Sequence, residues 1–280
     1  MRSRPYLVGP LSQMNSYRDA LFDSYNATHV AYLDADDQSK LEYFREFARL
    51  NYLPLLAPLN RDTAQILEVA CSKGYLLAAL QSFGFKRLSG VDLSPVDVET
   101  ARQLASSATV SCVDAFDYLD EHRGEFDVVI MKAALEHTEK DRVLPLLEKI
   151  SSGLKSDGMA IIDVPNMDWI LGQHERYMDF THEVGFTRES LAQVMRQVFE
   201  NVNVQKAKPS MPSGLKSAIE KTLRRIVVLW MGLILRILGE GASDTWWDCR
   251  GIVGVGRKRV AALPPSVRKA SGLPSTPKPF

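Results

Sequence analysis

The sequence predicts an α/β fold: a mostly parallel sheet of seven strands with helices on both faces. Three observations carry this. Ile66 to Val69 and Phe126 to Met131 are short, nearly continuous apolar runs, the pattern of strands covered on both faces. Helix-forming stretches separate these and further strand-like runs in strict alternation. The first run ends in small residues, Ala70-Cys71-Ser72-Lys73-Gly74, and passes directly into the helical Tyr75 to Leu80. A strand, a small-residue turn and a helix form the half-unit of a parallel sheet with right-handed crossovers.

The elements follow in order. Leu41, Phe44, Phe47 and Ala48 recur at helical spacing, with Asp36, Asp37 or Ser39 as caps, and Pro54 and Pro58 end that helix. Residues 1–60 are therefore read as a helical cap or lid, with the polar, aromatic Tyr25 to His29 in a surface loop ahead of the helix. A core over 61–206 contains strand one, strand two at Arg87 to Val91, and a helix at Val96 to Ser106 that Ser94-Pro95 opens. Strand three is Thr109 to Val113. Strand four is Phe126 to Met131, followed by a helix at Val143 to Leu154. A turn at Ser156-Asp157-Gly158 leads to strand five, Met159 to Val164. The amphipathic Thr187 to Phe199 and strand six, Asn201 to Lys206, close the core. Strand seven is Gly251 to Gly256, within a last segment 251–260, and the Pro/Ser/Lys-rich tail 261–280 reads as disordered.

Composition narrows the class of partner. Over 280 residues, Lys+Arg and Asp+Glu are equal at 34 each, so nothing in the overall balance favours nucleic acid. Cys71, Cys112 and Cys249 form no zinc spacing and no disulfide framework. Cys71 and Cys112 lie in strand-like contexts and are expected to be buried. The cysteine pattern fits a reducing compartment, and no apolar run follows Met1-Arg2-Ser3-Arg4-Pro5, so no signal peptide is expected and the location is read as cytoplasmic, with peripheral contact at the inner face of the membrane as the alternative.

Glu68 lies near the carboxyl end of strand one, where ligands of open α/β sheets bind, and Asp92 closes strand two about twenty residues on, where a carboxylate can accept both hydroxyls of a ribose. With Glu68-x-Ala70-x-Ser72-x-Gly74 in place of acid-x-Gly-x-Gly-x-Gly, and with Asp92 and Asp114 following in order, residues 66–165 resemble the class I S-adenosylmethionine-dependent methyltransferases. The resemblance implies a Rossmann-like sheet whose seventh strand is antiparallel and inserted between strands five and six. It implies S-adenosylmethionine as cofactor, held by Glu68, Ala70, Ser72, Gly74, Asp92, Leu93, Asp114, Ala115 and the backbone at Lys132-Ala133. Asp114 is also placed to cap the next helix.

Two constellations can carry the chemistry. Leu135-Glu136-His137 resembles the Leu-Glu-His that many small-molecule methyltransferases carry after strand four. Arg176 to Thr187, with Val164-Pro165-Asn166 before it, resembles a subset associated with bacterial surface-polysaccharide synthesis, which implies a sugar or glycan hydroxyl as acceptor. His182 is the expected general base, with His137 next in line, because imidazole titrates near neutrality. Arg176, Tyr177, Asp179 and Glu183 are the expected acceptor contacts, and Asp179 or Glu183 can orient the imidazole. No His/Asp/Glu spacing demands a metal.

About forty residues, Ala207 to Arg250, separate strands six and seven, a long connection for such a fold. Within it Ile226 to Leu235 is apolar throughout and is flanked by Arg224, Arg225 and Arg236. The run is too short to span a bilayer. Three occupants suit the stretch 223–239 equally: an anionic membrane surface, a second copy or partner, and the sheet itself beneath a lid. A membrane-facing segment would also suit a lipid or quinone-like acceptor, and the altered glycines would suit a binding module that keeps the fold without activity.

Overall fold

The computed structural model describes residue 21 and residues 36–209, 215–237 and 245–259. The loop expected at Tyr25 to His29 and the tail expected at 261–280 lie outside the described residues. The chain forms α1 (Asp37–Asn51), α2 (Leu53–Leu56), β1 (Gln65–Val69), α3 (Tyr75–Ser82), β2 (Arg87–Asp92), α4 (Pro95–Leu104), β3 (Thr109–Cys112) and α5 (Ala115–Glu121). It continues through β4 (Phe126–Lys132), a 3₁₀ turn (Leu135–His137), α6 (Lys140–Gly153), β5 (Leu154–Pro165), α7 (Gly172–Tyr177), α8 (Arg188–Val198), β6 (Phe199–Lys206), α9 (Leu215–Ile237) and β7 (Gly251–Lys258).

The seven strands form one sheet in the order β3-β2-β1-β4-β5-β7-β6. The first five in the chain pair in parallel, and β7 runs antiparallel between β5 and β6. Strand order reverses between β1 and β4, so their carboxyl ends open the crevice in which ligands of such sheets bind.

The period-two alternation of β1 and β4 sends side chains to two separate cores. Leu67, Val69, Val129 and Met131 pack with Leu119, Leu147, Leu191 and Met195 under α5, α6 and α8. Ile66, Val128 and Ile130 pack with Phe47, Tyr52, Leu76, Leu80 and Ala101 under α1, α3 and α4. The N-terminal helix is thus a layer of the sandwich: Phe44 stacks on Tyr75 at 5.5 Å, and the Tyr52 hydroxyl donates to Asp163 at 2.6 Å.

Local chemistry sets the boundaries. Asp36 accepts from the Ser39 amide and starts α1, and Thr187 and Ser190 form a reciprocal capping box on α8. Pro54 sits in the first turn of a second short helix, where a missing N–H costs nothing. Two expectations need correction. The turn at Ser156-Asp157-Gly158 is part of a longer β5, which pairs with β4 across a register shift between Phe126 and Val128. Cys112 is exposed, because it ends the edge strand β3, while Cys71 is buried as expected.

Candidate active site

At the end of β1 the chain adopts left-handed backbone at three alternate positions: Ala70 (φ 57°), Ser72 (φ 45°) and Gly74 (φ 76°). These are the positions that would carry glycine in the resembled motif, so the glycine conformation persists where two glycines do not. At Gly74 the reason is also steric. A Cβ there would lie 2.8 Å from Ala101 Cβ and 2.9 Å from its Cα, inside α4. Ala and Ser hold the left-handed region at a cost of about 1–2 kcal/mol each, which the surrounding bonds must offset. One such bond is the Ser72 amide donating to Asp92 Oδ2 at 2.8 Å.

Asp92 Oδ1 accepts from the Ser94 amide at 2.9 Å. A carboxylate has about four acceptor sites, so two backbone donors leave capacity for ribose hydroxyls. Burial raises the Asp92 carboxyl above the usual range, while the Ser94 and Ser72 amides oppose the shift. Leu93 beside it is exposed, as a wall for a bound purine would be. Asp114 caps α5 by accepting the Phe116 amide at 2.7 Å, with Ala115 half-buried next to it.

Glu68 is buried at the base of the turn, and its Oε2 has no hydrogen-bond partner. Burial pushes its carboxyl well above the usual range, with Lys132 pulling the other way. An orphaned buried carboxyl oxygen is a place for an ammonium donor, and the methionine end of S-adenosylmethionine carries one. The residues therefore fit that cofactor: a left-handed backbone cradle, a carboxylate at the end of β2, and an acid under the turn. The Lys132 side chain itself lies elsewhere, paired with buried Asp163 at 3.2 Å and 4.0 Å above the Phe47 ring. Ala133, also left-handed (φ 48°), follows it and aims the chain into the Leu135–His137 turn.

That turn meets the loop after β5. The Glu136 carbonyl accepts from the amides of Glu183 (2.7 Å) and Val184 (3.1 Å), which seats His182 beside His137 with ring centroids 4.6 Å apart. His137 Nδ1 lies 2.8 Å from Thr181 Oγ1, and the Thr181 hydroxyl donates to Asp179 Oδ1 at 2.7 Å. Since that hydroxyl proton goes to Asp179, Thr181 accepts from His137, and Nδ1 carries the imidazole proton. Nε2 is then the basic nitrogen of His137. His182 is oriented in the same sense: its Nδ1 is 2.8 Å from the Glu175 carbonyl, which can only accept. Its Nε2 is 4.0 Å from Asp179 Oδ2.

Asp179 is buried and serves as the common anchor of this loop. Arg176 donates to the carbonyls of His182 (2.5 Å) and Glu183 (3.1 Å), so its guanidinium braces the loop. Tyr177 is exposed at the loop surface, and Glu183 engages the Glu136 carbonyl through its backbone. Asn166 was singled out by sequence only as part of the Val164-Pro165-Asn166 run, and Glu175 and Arg250 were not. Asn166 donates to the carbonyls of Trp246 and Cys249, and Arg250 pairs with Glu175 at 3.0 Å, tying the 245–250 segment to the same loop. Glu136, His137 and His182 also bring ligand atoms within 4.8 Å of one another, a set able to hold a cation that sequence spacing does not announce. Glu136 is buried, and burial lifts its carboxyl from 4.5 to about 8.

A methyltransferase-domain family model matches residues 40–203, more than half of the chain and all of the elements that build the cradle and the histidine pair. The chain belongs to the class I S-adenosylmethionine-dependent methyltransferase family. The chain is 37% identical over 93 residues to a ubiquinone biosynthesis O-methyltransferase of Thiobacillus denitrificans, a match covering 32% of this chain and 39% of that protein. A namesake from Shewanella halifaxensis is 32% identical over the same length. Among solved structures, an S-adenosylmethionine-dependent methyltransferase from Archaeoglobus fulgidus superposes with a TM-score of 0.55 at 18% identity, covering 87% of this chain and 100% of that one. The 1,6-didemethyltoxoflavin-N1-methyltransferase of Burkholderia thailandensis, solved with S-adenosylhomocysteine, superposes at 0.53 with 17% identity and 86% of each chain covered. At these identities the methyltransferase fold is shared, and the acceptor is set by each protein's own loops.

Proposed function

We propose that this methyltransferase O-methylates a hydroxyl of an amphiphilic, lipid- or quinone-like acceptor. The observation that carries the O-methylation is the His137–Thr181–Asp179 series beside the cofactor cradle. When bound, S-adenosylmethionine supplies an electrophilic methyl group on a sulfonium sulfur. Glu68 would hold its amino-acid end, the backbone of 70–74 would lie against it, and Asp92 would take its ribose. The protein's remaining tasks are to place the acceptor oxygen in line and to accept its proton. His137 Nε2 accepts the proton. Thr181 and Asp179 hold the imidazole in the tautomer that makes this possible and stabilise the positive ring that results. His182, held between the Glu175 carbonyl and Asp179, positions the acceptor beside it. This assignment gives His137 the role that sequence alone offered first to His182, because His182 has a carboxylate near its Nε2.

The acceptor class rests on the exposed Ile170, Leu171, Tyr177 and Phe180 of the loop after β5 and on the names of the matched relatives, which are ubiquinone biosynthesis O-methyltransferases. The sugar acceptor read from the sequence gains no support from those relatives. Purified protein given S-adenosylmethionine and, in parallel, a polyprenyl hydroxyquinone, a catechol and nucleotide sugars should methylate the first two. Methylation of the sugar alone would overturn the acceptor class. His137→Ala should keep cofactor binding and lose about two to four orders of magnitude in turnover; undiminished turnover refutes the base.

A second reading is favoured by the Glu136, His137 and His182 cluster. A divalent cation on these three groups would lower the acceptor hydroxyl's pKa without an imidazole base. Turnover lost to a chelator and restored by one metal selects this reading, whereas turnover indifferent to chelator selects the imidazole.

A further inference from the structure

We propose that α9 is a docking helix for an anionic lipid surface, and that it turns the mouth of the active site toward that surface. Nine of the seventeen large apolar side chains exposed among the described residues lie on this one helix. Scattered apolar side chains on a surface need no explanation, but a concentration on one element does. Trp230, Leu229, Val227 and Ile237 are each more than half exposed. Val228, Met231, Gly232 and Leu235 are only partly exposed.

The occupant is identified by charge and length. Arg224, Arg225 and Arg236 flank the apolar run and are exposed, and the whole helix contains a single acid, Glu220. Arg225, Gly232 and Arg236 fall on one stripe of the wheel, leaving a wide apolar arc around Leu223, Ile226, Trp230 and Leu233. A basic stripe beside a broad apolar arc with a tryptophan is the pattern of a helix lying in the headgroup region. Among the described residues no helix is long and apolar enough to cross a membrane, so α9 would lie in the interface and not span it. Between α9 and the 245–250 segment lies a groove lined by Arg224, Arg225, Val228, Leu229 and Asp248, in which Arg224 donates to the Asp248 carbonyl and the Asp248 carboxylate is paired with Lys206, so Arg225 is the cation it offers beside apolar walls.

Topology sets the orientation. β6 ends at Lys206 opposite Ile252, and β7 begins at Gly251 opposite Pro165, the carboxyl end of β5. The chain thus leaves for α9 and returns from it at the same sheet edge that carries the cofactor turn and the histidine pair. The return segment is bonded to the acceptor loop through Asn166 and Arg250, and the departing segment is held by Asn51, whose side chain exchanges two hydrogen bonds with Lys208. The loop itself exposes Ile170, Leu171, Tyr177 and Phe180 along this edge. A bilayer met by α9 would also meet these side chains. An acceptor held in the bilayer could then reach His137 without leaving it.

The test is cosedimentation of the full chain with phosphatidylcholine vesicles containing about one-third phosphatidylglycerol, against phosphatidylcholine alone. The expected result is binding to the anionic vesicles that falls with salt. Arg225→Ala and Arg236→Ala should each weaken it roughly fivefold, and Leu233→Asp should abolish it while circular dichroism and cofactor affinity stay unchanged. No binding to anionic vesicles, equal binding to neutral ones, or a Leu233→Asp variant that still binds overturns the proposal. A concentration-dependent dimer that Leu233→Asp dissociates, without vesicle binding, assigns the face to a second copy instead. The readout needs no turnover, so an inactive protein that still binds vesicles overturns only the proposed reaction.

Discussion

The backbone amide of Ser72 donates to the carboxylate of Asp92 at 2.8 Å, and through that bond the end of β2 holds the turn after β1 in left-handed backbone. One carboxylate thus serves the fold and the cofactor site together. Asp92→Ala should weaken S-adenosylmethionine binding by about ten- to a hundredfold, the worth of one or two hydrogen bonds to a charged group, and should also lower the melting temperature. Calorimetry showing unchanged affinity would refute the ribose assignment.

Ala70 and Ser72 invite the opposite experiment. Both hold φ values that glycine adopts freely. Ala70→Gly should relieve about 1–2 kcal/mol of backbone cost in the folded state and give back part of it as added freedom in the unfolded chain, for a net gain of about 0.5–1 kcal/mol. Gly74→Ala should destabilise, since its new Cβ would meet Ala101. Chemical denaturation measures both, and a loss of stability in Ala70→Gly would show that the alanine methyl is needed for packing there.

How far the sequence could be read follows from where the information lies. The succession of strands and helices around the cradle, Asp36 among the offered caps of α1, and the capping of α5 by Asp114 are local in the chain, and each was legible. The edge position of β3 depends on which strands pair, which no local pattern reports, so the exposure of Cys112 was missed. The histidine pair was legible as two separate candidates. Its linkage was not, because Thr181 and His137 are 44 residues apart and meet only when the 3₁₀ turn after β4 docks on the loop after β5. Arg176 reads as an acceptor contact by residue type, yet the carbonyls that occupy it belong to its own loop.

Glu136 makes stability depend on pH in a direction opposite to that of a paired surface acid. Burial lifts its carboxyl from 4.5 to about 8. Between those values the unfolded chain ionises while the folded protein keeps its proton, so the folded state binds more protons and stability falls as pH rises through the window. Glu136→Gln removes this term. Its melting temperature relative to the parent protein should therefore increase from pH 5 toward about pH 8. A difference that is flat across that range would show that Glu136 is ionised in the folded protein. Addition of a divalent cation that raises the parent's melting temperature mainly at the alkaline end would support the cation reading.

Thr181 is the sharpest test of how the site orients its base. Its hydroxyl is the one group between His137 and buried Asp179. Thr181→Val is close to isosteric and removes both bonds, leaving the imidazole free to rotate or to take the other tautomer. Thr181→Ser keeps the hydroxyl and loses only a methyl group. If His137 takes the proton, Thr181→Val should lower kcat by about ten- to a hundredfold, with S-adenosylmethionine affinity unchanged, and Thr181→Ser should restore most of it. Equal activity in the two variants would mean that the hydroxyl does not orient the base. Equal loss in both would mean that the methyl group, and so the packing of the loop, is what matters. Only a loss confined to Thr181→Val ties the proton transfer to the His137–Thr181–Asp179 series.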